Sequence, residues 1–248
     1  MKNIIPLLLL VSVCLAFSGK PKVRIFIAGD STAQTYDTTK TIQRGWGQEL
    51  GSFFGDEVEV VNRAKAGRST KSFIDEGRWD SIMKNVKKGD YVLIQFGHND
   101  TSTKPERHAS PKDYRANLIK FIEETRAHKA HPVLLTSIVM RTFKDKILVD
   151  DRLKSYPGIM RAVAREYNVP LIDTNVMTRD LVLSLGDEAS KKLYMWCDST
   201  EDKAHPKGDK DDTHTRYAGA HKIAEFVVQG MQDLKIKDLT KYLLVKNK

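Results

Sequence analysis

Residues 23–33 read Val-Arg-Ile-Phe-Ile-Ala-Gly-Asp-Ser-Thr-Ala, a short β-branched run that stops at a glycine and turns polar. The run from Val23 to Ala28 reads as a buried strand. Gly29 permits a sharp turn that a side chain would obstruct, which leaves Ser31 with an exposed hydroxyl and an unspent backbone N–H. The same residues also suit a serine that only caps a helix. A lipase-type elbow, G-x-S-x-G, is not met, because position 33 is alanine.

Outward from this stretch the chain alternates. Residues 58–61, 91–96, 132–139 and 169–172 are further apolar runs of strand length. Residues 46–54, 111–128 and 151–167 carry helical patterns; in the second, Tyr114, Leu118, Phe121 and Ile122 fall at i, i+4, i+7 and i+8. Residues 216–234 form a closing helix with Thr215 as its N-cap, and the polar stretch 198–212 reads as a long loop beginning beside Cys197. Strands apolar on both faces and alternating with helices predict an α/β fold, a parallel sheet covered on both sides. In such sheets ligands bind beyond the carboxyl ends of the strands, so the loops after Ala28, Val61, Phe96 and Ile172 are where chemistry is expected.

Composition narrows the possibilities. The length of 248 residues suits one large domain or two small ones, and 40% hydrophobic content argues against global disorder. Two cysteines cannot staple a chain of this length. A formal charge of +9 favours an acidic partner: polyanionic sugar, nucleic acid or anionic membrane. Lys2 followed by the apolar run 4–17 is shorter than the roughly 20 residues of a spanning helix. It predicts a signal peptide at 1–18, cleaved before Gly19, and a single catalytic domain over 19–248 that is periplasmic or secreted. Cys14 offers a lipoprotein alternative, against which Val13 is bulky for the preceding position. No later segment is long and apolar enough to insert stably in a membrane.

Three more loops carry candidate chemistry. In Asp211-Asp212-Thr213-His214, Asp211 can accept from one ring nitrogen of His214 and leave the other to take a serine proton. Sequence does not exclude Asp212 from that role. Gly97-His98-Asn99-Asp100 ends the third strand with a carboxamide able to donate to an oxyanion. In Asn62-Arg63-Ala64-Lys65-Ala66-Gly67-Arg68-Ser69, Gly67 can bring its N–H close to a ligand. Taken singly, each block is also ordinary turn or cap chemistry. No H-E-x-x-H motif or EF-hand frame points to a metal.

In their order and spread, Gly29-Asp30-Ser31, Gly67, Gly97-His98-Asn99-Asp100 and Asp211-x-x-His214 resemble the four blocks of the GDSL or SGNH hydrolases. Gly-Asp-Ser-Thr-Ala, Asn-Arg-Ala-x-x-Gly-Arg-Ser-Thr, Gly-His-Asn-Asp and Asp-x-Thr-His are similar to the rhamnogalacturonan acetylesterase branch. The resemblance implies a three-layer α/β/α sandwich with a central, mostly parallel five-stranded sheet, and no cofactor or metal. It implies catalysis by Ser31, His214 and Asp211, with an oxyanion hole of the Ser31 and Gly67 N–H groups and the Asn99 amide. The implied activity is removal of O-acetyl groups from pectic polysaccharide. Arg68 and Lys71, beside Gly67, are the expected contacts for an anionic sugar backbone. The alternatives are a lipase or thioesterase of the same family, an acetylxylan esterase, and a carbohydrate-binding protein without turnover. Export and scattered basic residues argue against nucleic acid. The sequon Asn99-Asp100-Thr101 falls on the oxyanion asparagine, where a glycan would block catalysis, so a bacterial export route is expected.

Overall fold

Alternation along the first strand, β1 (Val23–Gly29), feeds two separate cores. Ile25 and Ile27 are wholly buried in one, and Phe26 and Ala28 in the other. The computed structural model describes residues 23–149 and 152–244, so the expected leader at 1–18 lies outside the described residues.

After β1 come the short strand β2 (Gln43–Arg44), helix α1 (Trp46–Glu49) and β3 (Val58–Asn62). Helices α2 (Thr70–Asp75) and α3 (Arg78–Met83) precede β4 (Tyr91–Gln95), and α4 (Pro111–Ala127) precedes β5 (His131–Leu135). A small hairpin, β6 (Phe143–Lys144) and β7 (Ile147–Leu148), leads to α5 (Tyr156–Glu166), β8 (Leu171–Ile172) and α6 (Thr174–Ser190). Strands β9 (Tyr194–Cys197) and β10 (Asp209–Arg216) and helices α7 (Tyr217–Asp233) and α8 (Lys237–Thr240) follow.

Five strands form one sheet in the order β3-β1-β4-β5-β8, with every pairing parallel. On one face Phe73, Trp79, Ile82, Phe121 and Val163 of α2 to α5 cover Phe26, Val92 and Ile94. On the other, Trp46 of α1 and Ile223, Ala224 and Val227 of α7 cover Ile25, Leu93 and Val133. This is the three-layer arrangement the sequence predicts. Strand order reverses direction between β1 and β4, which opens a crevice at their carboxyl ends.

Several expectations need correction. Residues 209–212 are not loop: they begin β10, which pairs antiparallel with β9 and β2 in a second, three-stranded sheet. A run as polar as Asp-Lys-Asp-Asp has no hydrophobic alternation to reveal it; pairing with β9 makes it a strand. Thr215 is not the N-cap of α7, because it belongs to β10 and its hydroxyl donates to the Arg44 carbonyl at 2.9 Å. The strand over 132–139 ends at Leu135, and the helix over 151–167 begins at Tyr156, next to Pro157. Helix α6 has no counterpart in the sequence reading, for Leu183 and Leu185 face outward and its amphipathic pattern is weak. Among the described residues no helix is long and apolar enough to cross a membrane.

Candidate active site

The turn after β1 is shaped before any catalytic contact is made. A Cβ on Gly29 would lie 3.1 Å from the Gln95 carbonyl of β4, tighter than ordinary contact, so glycine allows the two strand ends to close up. Asp30 is fully buried and accepts from the Thr32 N–H at 2.9 Å, an Asx turn that wraps around Ser31. The Tyr36 hydroxyl donates to the Ser31 carbonyl at 2.9 Å. Burial, with the charges of Asp30 and Asp211, pushes that phenol well above its ordinary pKa and keeps it a donor. Ser31 itself is only 7% exposed, less than a serine on an open turn would be. Under the turn lies Gln95, wholly buried, accepting from the Trp46 indole at 2.7 Å and donating to the Thr136 carbonyl at 3.2 Å. The sequence signal for Gln95 is an amide that ends an otherwise apolar strand.

Strand β10 brings the other partners from the far end of the chain. Its register shifts between Asp211, opposite Met195, and Thr215, opposite Tyr194, so residues 212–214 bulge outward. Asp211 accepts from the backbone N–H groups of Thr213 at 2.6 Å and His214 at 3.1 Å. Its other oxygen lies 2.5 Å from His214 Nδ1, and His214 Nε2 lies 2.8 Å from Ser31 Oγ. With Nδ1–H donating to Asp211, Nε2 accepts from the Ser31 hydroxyl. Burial raises the Asp211 carboxyl, but the hydrogen bond and charge of His214 and the two N–H donors outweigh it, holding the group at about 2. Burial likewise opposes protonation of His214, yet the hydrogen bond and charge of Asp211, with Asp30 and Asp209 behind it, leave its pKa raised.

Asp212 is excluded from the pair because it faces elsewhere. It accepts from Arg141 Nε at 2.9 Å and from the Trp196 indole at 2.8 Å, while its carbonyl accepts from the Arg141 N–H at 2.8 Å. Arg141, 2% exposed, also grips Asp187 at 2.5 Å, so a buried guanidinium clamps the bulge that carries Asp211 and His214. No sequence signal marks Arg141, whose partners are remote along the chain.

Loops after β3 and β4 complete the rim. The Lys65 N–H donates to the Gly29 carbonyl at 2.9 Å and the Ala66 N–H to Gln34 Oε1 at 2.5 Å, tying the second block to the first. Thr70 donates its N–H at 2.9 Å and its hydroxyl at 2.6 Å to Asp100. Burial, reinforced by the charge of Asp30 and opposed by these Thr70 bonds, raises Asp100 to about 7. Gly67 has φ +77°, a left-handed conformation that disfavours side chains. Among the described residues neither the Ser31 N–H nor the Gly67 N–H donates to an acceptor, and the Asn99 amide spends one N–H on the Arg68 carbonyl at 3.1 Å. Unspent donors on three adjoining loops suit a transient anion.

The cations expected to meet an anionic sugar are occupied. Arg68 Nε lies 3.1 and 3.0 Å from the two oxygens of Glu76, and Lys71 Nζ donates to the Pro105 carbonyl at 2.9 Å. Among the described residues no group of three or more His, Cys, Asp or Glu side chains could hold a metal ion.

Comparison with known proteins follows the same lines. The model of the GDSL-like lipase/acylhydrolase family matches residues 27–221. The rhamnogalacturonan acetylesterase RhgT of Bacillus subtilis (strain 168) is 38% identical over 215 residues, covering 87% of this chain and 92% of that protein. The probable rhamnogalacturonan acetylesterase YesY of the same organism is 36% identical, over 85% of this chain and 93% of its own. Among solved structures, the acetylxylan esterase Axe2 of Geobacillus stearothermophilus superposes with a TM-score of 0.64 at 17% identity, over 85% of this chain and 94% of its own, a likeness of fold.

Proposed function

The chain belongs to the GDSL-like lipase/acylhydrolase family, and from that membership and the site geometry we propose that it is a serine esterase removing O-acetyl groups from rhamnogalacturonan-type pectic polysaccharide. The observation that carries the reading is the continuous hydrogen-bonded path from Ser31 Oγ through His214 to Asp211, 2.8 and 2.5 Å long in its two links. It lies at the crevice where strand order reverses. The similarity to rhamnogalacturonan acetylesterases over most of both chains supports the substrate class.

In this reading His214 Nε2 takes the Ser31 proton as Oγ attacks the acetyl carbonyl. Asp211 holds the imidazole in the productive tautomer and stabilises the imidazolium. The oxyanion is received by the Ser31 and Gly67 N–H groups and the second N–H of Asn99. As the intermediate collapses, the imidazolium of His214 gives its proton to the departing sugar oxygen, which leaves as a hydroxyl. In the second half it activates water to release acetate and regenerate Ser31. Removing one oxyanion donor leaves substrate binding largely intact, so Asn99→Ala is expected to lower kcat by about 10²- to 10³-fold with little change in KM. Steady-state kinetics on an aryl acetate measures this, and a loss below threefold would remove Asn99 from the hole.

The cavity beside Gly67 is lined by the charged side chains Arg68, Lys71, Asp75, Glu76, Glu106 and Arg107, which suit a polar sugar. Acetate release from acetylated rhamnogalacturonan, acetylxylan and aryl esters of rising chain length is the direct test. We expect the pectic substrate and the acetyl aryl ester to be preferred, whereas faster turnover of octanoyl than acetyl esters would overturn the assignment. Residues 1–18 are proposed as an export leader, checked by the N-terminal sequence of the mature protein.

A further inference from the structure

Next to the proposed oxyanion glycine is a cavity of about 330 Å³ whose lining cations are Arg68, Lys71 and Arg107. They share a sign of charge but not an availability. Arg68 is engaged with both oxygens of Glu76 and, through Nη1, with the Ala66 carbonyl at 2.8 Å. Lys71 is engaged with the Pro105 carbonyl and lies 3.9 Å from Asp75. The Arg107 side chain has no hydrogen bond or ion pair among the described residues, although it is partly buried. Its guanidinium lies against Gly67, with its central carbon 3.3 Å from where a Cβ on that residue would stand. Any side chain at position 67 would crowd it. Glycine at this position therefore serves a left-handed turn and the close approach of a cation.

We propose that Arg107 recognises the carboxylate of a uronic acid residue in the substrate backbone. A guanidinium presents paired N–H donors that match the two oxygens of a carboxylate, and half-burial strengthens such a bond relative to one in open water. The lining carboxylates do not occupy it. Asp75 faces Lys71, Glu76 faces Arg68 and Arg78, and Glu106 is exposed. The cavity contains as many acidic as basic side chains, so recognition comes from one unpaired fork rather than from a positive field. Arg107 follows the Asn99 block, in the segment between β4 and α4, so the same loop that offers the oxyanion amide carries the carboxylate contact. This inference rests on the esterase reading of the site and adds to it a residue that selects acidic substrate.

The test compares an acetylated rhamnogalacturonan oligosaccharide with the same oligosaccharide after chemical reduction of its carboxyl groups. For the wild-type protein we expect a lower KM on the acidic form. Arg107→Gln is expected to raise that KM about 10- to 100-fold, the range of charge-assisted hydrogen bonds, and to erase the preference over the reduced form. Arg107→Lys, which keeps the charge and loses the fork, is expected to recover only part of it. Equal losses on both substrates would overturn the proposal, since Arg107 would then act on the oxyanion or on the fold. A wild-type protein indifferent to carboxyl reduction would overturn it as well. A wild-type protein that hydrolyses no acetyl ester, aryl acetate included, would instead remove the esterase reading beneath it.

Discussion

Ser31→Ala is expected to lower kcat on an aryl acetate by about 10⁴- to 10⁶-fold while the protein melts within a few degrees of wild type. The size of the loss follows from the division of labour in the site. Oγ forms the covalent bond to the acyl group, and without it His214 and the oxyanion donors can only assist water. That residual assistance is worth roughly 10³ to 10⁴ over the uncatalysed reaction. Stability changes little because the turn is held by groups other than the hydroxyl: the Asp30–Thr32 bond and the Tyr36 contact to the Ser31 carbonyl both survive. One hydrogen bond to His214 is lost, about 1 kcal/mol. Activity within tenfold of wild type would remove Ser31 as nucleophile, and loss of the folded state would contradict the account of the turn.

Asp211→Asn is expected to cost about 10⁴ in kcat with the backbone of the bulge intact. An asparagine carbonyl can still accept from the Thr213 and His214 N–H groups, but its NH₂ now faces His214 Nδ1. The imidazole then carries its proton on Nε2 and donates to Ser31 instead of accepting from it. The same substitution shifts the pH profile. In wild type the raised pKa of His214 places the acid limb of kcat/KM above the ordinary imidazole value of about 6.5. Activity falls as pH drops through that raised value, because the base becomes protonated. Removing the hydrogen bond and charge of Asp211 leaves burial opposed only by more distant carboxylates, so the limb moves to lower pH.

Stability follows the same pair. With its folded pKa depressed to about 2, Asp211 contributes stability that is present above the ordinary aspartate value and lost as pH falls towards 2. The raised His214 contributes below its unfolded pKa and loses that contribution as pH rises through the folded one. Kinetic profiles and melting curves of wild type and Asp211→Asn across pH check both statements. An unmoved acid limb would separate Asp211 from the base.

Much of the site was legible because each of its blocks is short and local. Ser31 follows the glycine that closes β1, and Asp211 and His214 are three residues apart. Even so, the sequence could not choose between Asp211 and Asp212. That choice depends on the bulge in β10 and on Arg141, whose guanidinium draws Asp212 away. Nor could it rank the cations near Gly67. Arg68 sits beside the glycine in sequence but is bound to Glu76, whereas Arg107, remote in sequence, lies against the glycine in space.

Alternating apolar runs and turn residues fix the order of buried strands and helices, and with it the sandwich and the end of the sheet where chemistry gathers. Apolar periodicity and turn residues act over a few positions, and their energies are local. The tertiary structure alone decided that a polar run becomes strand β10, which carboxylate holds the imidazole, and which arginine is left unpaired. Those outcomes depend on partners brought together from distant segments, where strand pairing, ion pairing and burial set the energies and local pattern carries no trace of them.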